Sequence, residues 1–378
     1  MKNISVVIGT RPEAIKMAPV ILELNKKTNH FKTSICFTGQ HESMFIDAFA
    51  SFGLKPDVTL NVMSPNQSLL QLTNKLINST DKYYSDFDPD IVLVHGDTNT
   101  AMASSLAAFY RKIPIGHVEA GLRTYDRFSP FPEEFNRRLI AINADYHYAP
   151  TITARNNLLK EGINIKNIIL TGNTVIDSLM IIRDSILSDK KKFLTLKEKF
   201  LNLLRFDVTR EKYILITAHR RENYSGIKDI CISIKELALN NPKVRFIFPV
   251  HLNPKIKDIV YKVLSDLKNV FLVSPLAYKE FIFLMIFTNF ILTDSGGIQE
   301  EAPAFGKKVL VMRDSSERPE AIKAGTAKLV SSNPKLIVKE SQLLLDEAND
   351  NDLLIKKNPF GDGKASIKII NHLVNLYK

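Results

Sequence analysis

Two doubly wound α/β domains in series are the fold this sequence predicts, and three observations predict it. The chain has 378 residues, beyond the length at which a single hydrophobic core usually stops growing. Short Val- and Ile-rich runs alternate with amphipathic stretches, the mark of βαβ units and a parallel sheet. That alternation begins afresh after a charged helical segment near the middle of the chain.

The first series opens with a strand at Ile4–Ile8, a helix at Glu13–Lys26, a strand at Thr33–Phe37 and a helix at His41–Phe52. Further strands are expected at Ile91–His95, Ile113–Val118 and Asn167–Leu170, which carries the first domain to residue 174. Residues Ile186–Arg210 read as a charged, unevenly patterned helical stretch. Strands then follow at Tyr213–Thr217, Val244–Pro249, Val270–Val273, Phe290–Thr293 and Lys308–Met312, so residues 175–361 repeat the architecture of the first domain. At the end of the chain Ile367, Ile370, Leu373, Val374 and Leu376 have the spacing of an amphipathic helix.

Composition narrows the function classes. A hydrophobic content of 45% fills two cores. The net charge of +11 comes largely from lysines scattered over helices, with one dense run at Asp189–Lys192 that suits a solvated connector better than a nucleic-acid groove. Cys36 and Cys231 sit inside apolar segments without metal-ligand spacing and read as buried thiols. Met1–Gly9 reads as a first strand, not a signal peptide, and the most apolar stretch, Phe281–Leu292, is broken by Thr288 and Asn289. The expectation is a cytoplasmic protein with neither nucleic acid nor membrane as partner.

Two such domains in series are expected to face each other across a cleft between the carboxyl ends of their sheets, where open α/β sheets bind ligands. Strand-end residues therefore carry the functional reading. The first junction, Gly9–Lys16, lacks the glycine pattern of a dinucleotide site. Its Gly-Thr turn and Pro-started helix suggest open backbone amides, with Arg11 and Lys16 as cations for a phosphate. The same hexapeptide returns at Arg318–Lys323, which makes Arg318 a second cation for an anion.

Just before it, Thr293–Glu301 breaks from a buried strand into a turn, Ser295-Gly296-Gly297, that opens a helix. Small residues and a helix start suit a phosphate, and Glu301, deeper in the helix, suits ribose hydroxyls. In the first domain Asp97, Glu119 and Glu133 bring three carboxylates to strand ends or a helix start, with Arg137 one turn after Glu133. Carboxylates opposite an anion site form an acid–base set, and the arginines make a metal unnecessary. His219 lies beside Arg220 and Arg221 and suits a leaving phosphate, whereas His251 reads as structural.

Taken together, Gly9–Lys16, His95–Thr98, His117–Arg123, Pro132–Glu134, Gly172–Thr174, His219–Glu222, Thr293–Glu301 and Glu317–Glu320 resemble the non-hydrolysing UDP-N-acetylglucosamine 2-epimerases. The resemblance implies two Rossmann-like domains of the B-type glycosyltransferase (GT-B) fold, with residues 362–378 forming a helix that crosses back to the first domain. It implies reversible conversion of UDP-GlcNAc to UDP-ManNAc for surface polysaccharide, through elimination of UDP to a 2-acetamidoglucal and its re-addition, without cofactor or metal. It further implies Asp97, Glu119, Glu133 and His219 as catalytic residues. Substrate contacts would come from Arg11, Lys16, Arg137, Phe281, Ser295, Gly296, Gly297, Glu301 and Arg318, and the protein would be a homodimer. Ser43 and Asn66 stand where some relatives hold a second, activating substrate with other groups. A modified sugar such as a 2,3-diacetamido uronic acid, or a GT-B transferase reaction, is the alternative.

Overall fold

The computed structural model describes residues 1–39, 42–218, 226–347 and 358–378. Apolar runs buried on both faces become parallel strands, and among the described residues they form two sheets. The first holds β1 (Lys2–Ile8), β2 (Phe31–Phe37), β3 (Val58–Thr59), β4 (Ile91–His95), β5 (Ile115–Val118), β6 (Tyr146–Ala149) and β7 (Ile168–Leu170), in the order β3-β2-β1-β4-β5-β6-β7. The second holds β8 (Tyr213–Thr217), β9 (Arg245–Pro249), β10 (Val270–Val273), β11 (Phe290–Thr293), β12 (Lys308–Val311) and β13 (Ala327–Leu329), in the order β10-β9-β8-β11-β12-β13.

Every strand pair is parallel, as in Lys2–Ile8 running alongside Phe31–Phe37 without a break in register. In each sheet the order turns back beside its first strand, between β1 and β4 and between β8 and β11. These are the topological switch points at which doubly wound sheets open a crevice beyond their carboxyl ends. The segments directly after β1, β4 and β11 carry Arg11, Asp97 and Ser295.

The chain divides into two compact units, Met1–Met180 with Phe360–Lys378, and Ile181–Pro359. In the first, the C-terminal helix Ala365–Leu376 packs on the helix Arg11–Asn25. Its N-terminus is capped from a distance: buried Asp177 accepts from the Ala365 amide at 3.1 Å, the Ser366 amide at 2.8 Å and the Ser366 hydroxyl at 2.5 Å. A carboxylate meets the orphan donors and the positive end of the helix there. At the other end the Tyr377 hydroxyl donates to the Asp90 carbonyl at 3.1 Å.

The dense charge run has a local role in the second unit. Asp189 is the N-cap of the helix Lys190–Leu204 and accepts from the amides of Lys191 and Lys192. Cys36 and Cys231 are free and buried, one per unit, and burial raises both thiols, Cys231 to about 12. No helix among the described residues is long and apolar enough to cross a membrane.

Candidate active site

The rim of the first sheet is built on the first turn of the helix Arg11–Asn25. This junction does not leave its amides open for a phosphate, contrary to the sequence reading. Glu13 is 1% exposed, and its Oε2 accepts from the Gly9 amide at 3.1 Å, the Thr10 amide at 2.8 Å and the Thr10 hydroxyl at 2.8 Å. Its Oε1 accepts from the Thr98 hydroxyl, 2.7 Å away, in the turn after β4. A side-chain anion thus occupies the helix N-terminus. The turn is also closed sterically, since a Cβ on Gly9 would stand 2.1 Å from Thr100 Oγ1 and 2.8 Å from Thr38 Oγ1.

One turn further, Lys16 is aimed at a carboxylate. Its Nζ lies 2.6 Å from Glu119 Oε2, with the two side chains 16% and 9% exposed. Asn173 Nδ2 donates to the same oxygen at 2.9 Å, and His95 Nε2 stands 3.6 Å away. Burial alone would raise the Glu119 pKa, but Lys16 and His95 outweigh it and hold the carboxyl well below its ordinary value. Glu119 sits in the left-handed region at φ 64°, a conformation that costs a non-glycine residue about 1–2 kcal/mol. The contacts to its carboxylate offset that strain and fix where the carboxylate points.

Asp97 follows the left-handed Gly96, φ 65°, in the turn after β4. Its carboxylate is paired with Arg137, whose Nε is 3.2 Å from Oδ2 and whose Nη2 contacts the same atom. Arg137 also donates to Glu134 Oε2 at 3.2 Å, and buried Glu134 accepts from the amides of Thr124 and Tyr125. Although Arg137 stands one turn after Glu133, its guanidinium pairs with Asp97 and Glu134. Glu133 Oε2 is left buried without a hydrogen-bond partner among the described residues. The Arg11 side chain, at the other side of the same rim, makes no hydrogen bond or ion pair with the described residues.

Behind the rim, His117 on β5 and His147 on β6 stand side by side in register. His117 Nε2 lies 2.7 Å from the Gly96 carbonyl, which only accepts, so this nitrogen carries the proton and the ring steadies the Asp97 turn. Burial pushes the His117 pKa down to about 3 and that of His147 to about 4, against an ordinary 6.5. Protonation is therefore easier in the unfolded chain, so stability is full above pH 6.5 and falls below it. Each ring is expected to remove about 1.4 kcal/mol per pH unit on the way down. Urea midpoints at pH 7 and pH 5 check this, and an unchanged midpoint would contradict it.

In the second unit Ser295 is the N-cap of the short helix Gly296–Glu301. The Ser295 amide donates to Thr293 Oγ1 at 3.0 Å, and Thr293 Oγ1 lies 2.6 Å from Thr217 Oγ1, which ties the ends of β11 and β8 together. At Gly297 a Cβ would meet nothing nearer than Glu301 Oε1 at 3.7 Å and Ser295 Oγ at 3.8 Å. The protein's own packing does not demand glycine there. Gln299 Nε2 donates to the Ser295 carbonyl at 3.3 Å, Ser316 donates to Gln299 Oε1 at 2.5 Å, and the Arg318 amide donates to Ser316 at 3.0 Å. This chain of bonds holds Arg318 near the Ser295 turn, its guanidinium paired with buried Glu300.

Phe281 is half-buried on the helix Tyr278–Phe287. His251 accepts from the Asn253 amide at 3.1 Å. His219 and the Ser43 side chain lie outside the described residues, and Asn66 is exposed at φ 56°. Three contributors were missed from sequence: Glu13, Glu134 and Asn173. Glu13 had a local signal, the Thr10-x-x-Glu13 capping pattern, and Glu134 and Asn173 lie in the motifs Pro132–Glu134 and Gly172–Thr174.

A family model described as UDP-N-acetylglucosamine 2-epimerase matches residues 23–374. The chain belongs to the UDP-N-acetylglucosamine 2-epimerase family. Its relatives in this family include the UDP-N-acetylglucosamine 2-epimerase of Neisseria meningitidis serogroup A, 49% identical over 97% of this chain and 98% of that one. The enzyme of the same name from Campylobacter jejuni is 47% identical over 99% and 98% of the two chains. Among solved structures, the N. meningitidis UDP-GlcNAc 2-epimerase bound to UDP-GlcNAc matches with a TM-score of 0.89 at 47% identity, covering 99% of this chain and 100% of that one. The Methanocaldococcus jannaschii UDP-GlcNAc 2-epimerase, solved with UDP-GlcNAc and UDP, matches with a TM-score of 0.80 at 33% identity over 99% of both chains. A glycosyltransferase from Rickettsia africae, at 14% identity and a TM-score of 0.60, shares the fold alone.

Proposed function

We propose that this protein interconverts UDP-GlcNAc and UDP-ManNAc by inverting C2, without hydrolysis, and that it supplies the ManNAc-type sugar for surface polysaccharide. The observation that carries the reading is the asymmetry of the carboxylates on the first unit. Glu119 is held by the Lys16 cation and an amide donor, whereas Glu133 has a buried oxygen with no partner among the described residues. Two acidic groups kept in unlike environments are what an acid–base pair requires.

The sugar's C2 proton has no neighbouring carbonyl to acidify it, so direct removal followed by return is a high barrier. Elimination avoids this. A base takes the C2 proton, the C1–C2 double bond forms, and the C1–O electron pair leaves with UDP. Re-addition delivers a proton to the opposite face of C2 while a UDP oxygen closes on C1. Asp97, Glu119, Glu133 and His219 are the groups assigned to these proton transfers and to the departing phosphate.

The enzyme must keep UDP bound while it is detached. This falls to Ser295, Gly296, Gly297 and Arg318 for the diphosphate, Glu301 for the ribose and Phe281 for the base, with Arg11 and Arg137 on the sugar side. Stabilising charge as it develops on the leaving diphosphate is worth more than binding the intact substrate tightly. Lys16 acts here through Glu119. A homodimer belongs to the same reading.

Incubation with UDP-GlcNAc in D₂O, followed by proton NMR, tests the proposal. Deuterium is expected at C2 of both UDP-sugars, with UDP still attached. Accumulation of free ManNAc would contradict the non-hydrolysing claim, and absence of C2 exchange would contradict the epimerase claim.

A further inference from the structure

We infer that Glu13 is a positioning residue for the reaction, an internal anion that clamps the turn carrying Arg11 to the turn carrying Asp97. The inference rests on the C2-epimerisation reading. Glu13 touches no group assigned to substrate, yet its two oxygens are divided between the two turns. One accepts from Gly9 and Thr10 after β1, and the other from Thr98 after β4.

The geometry leaves little else for this carboxylate to do. A capping-box acid reaches back to the N-cap amide of its own helix; Glu13 is 1% exposed and also crosses to a second turn. Thr98 is itself the N-cap of the helix Asn99–Tyr110, accepting from the Ala101 amide at 3.0 Å. Its hydroxyl therefore has one proton to give, and Glu13 receives it. The Asp97 backbone is then held from three directions: His117 on the Gly96 carbonyl at 2.7 Å, Asn136 on the Asp97 carbonyl at 2.9 Å, and Glu13 on Thr98 at 2.7 Å.

Three residues along the same helix Lys16 holds Glu119. The first two turns of one helix thus set the position of both carboxylates, Asp97 through Glu13 and Glu119 through Lys16. The second copy of the hexapeptide sharpens the contrast. Its helix, Pro319–Lys323, is five residues long, and Lys323 is exposed where Lys16 is only partly exposed, against Glu119.

Glu13→Ala in the full chain should lower kcat for C2 exchange by about 100-fold, the cost of displacing reacting groups by about 1 Å, with the UDP dissociation constant little changed. Glu13→Gln keeps an oxygen for the Gly9 and Thr10 amides and offers its NH₂ to the Thr98 hydroxyl, so it should retain most of the wild-type kcat. Added formate, an anion of the excised size, should recover part of the kcat of Glu13→Ala, which a general loss of folding would not allow. If Glu13→Ala does not fold, Thr98→Val against Thr98→Ser decides: the first should lose kcat and the second keep it.

Wild-type rates from Glu13→Ala or Thr98→Val would overturn the inference, as would equal losses from Glu13→Gln and Glu13→Ala. Wild-type protein that exchanges C2 while Glu13→Ala matches it sinks only the clamp. Wild-type protein that exchanges nothing sinks the epimerase reading beneath it.

Discussion

Asp97→Asn is expected to abolish C2 exchange, lowering kcat by roughly 1,000-fold or more, while UDP binds nearly as before. The substitution preserves size and removes charge. The backbone of the turn stays held through the Asp97 carbonyl by Asn136 and through Gly96 by His117. Arg137 keeps its second partner, Glu134, which is buried and itself anchored by two backbone amides. The variant therefore isolates the carboxylate from the architecture around it. Isothermal titration with UDP alongside the exchange assay gives both readouts. Loss of UDP affinity together with activity would show that Asp97 is an architectural acid.

Lys16→Met should have the second large effect, on stability and on pH dependence at once. Methionine fills the stem of the lysine and leaves Glu119 buried beside His95 and Asn173 alone. Breaking a buried ion pair from one side costs about 3–5 kcal/mol. The folded Glu119 pKa lies below its ordinary 4.5. The pair therefore contributes its stability above pH 4.5, and the contribution is lost as pH falls through the folded value. Without Lys16 the carboxyl titrates higher, and the acid limb of the kcat/KM profile should move up in pH. Urea midpoints at pH 7 and a pH–rate profile check both halves; an unmoved acid limb would mean that Glu119 does not carry the proton transfer.

The parallel sheets were legible because strands buried on both faces leave continuous apolar runs, as at Ile91–His95 and Tyr213–Thr217. The elements that escaped lack that mark. Val58–Thr59 is two residues long, Tyr146–Ala149 alternates aromatic rings with a buried histidine, and Ala327–Leu329 carries a lysine at its centre. The acids at strand ends were equally legible, because a polar residue directly after a buried run has few other reasons to be there.

What the sequence hid was partnership. Arg137 has Glu133 four residues before it and Glu134 three before it, and only the conformation of the loop after β4 decides that Asp97 takes the guanidinium. Lys16 and Glu119 are 103 residues apart, and no local pattern couples them. Glu13 was visible as a capping acid, but the anion it supplies was mistaken for one that a ligand would bring.

The central claim is that the C1–O bond breaks and UDP stays bound until it returns. UDP-GlcNAc carrying ¹⁸O in the bridge between C1 and the β-phosphorus tests it directly by phosphorus NMR. If UDP departs and rejoins, its terminal phosphate rotates, and label is expected to move from the bridge to non-bridging positions as C2 exchanges. C2 exchange with the label fixed in the bridge would contradict the account.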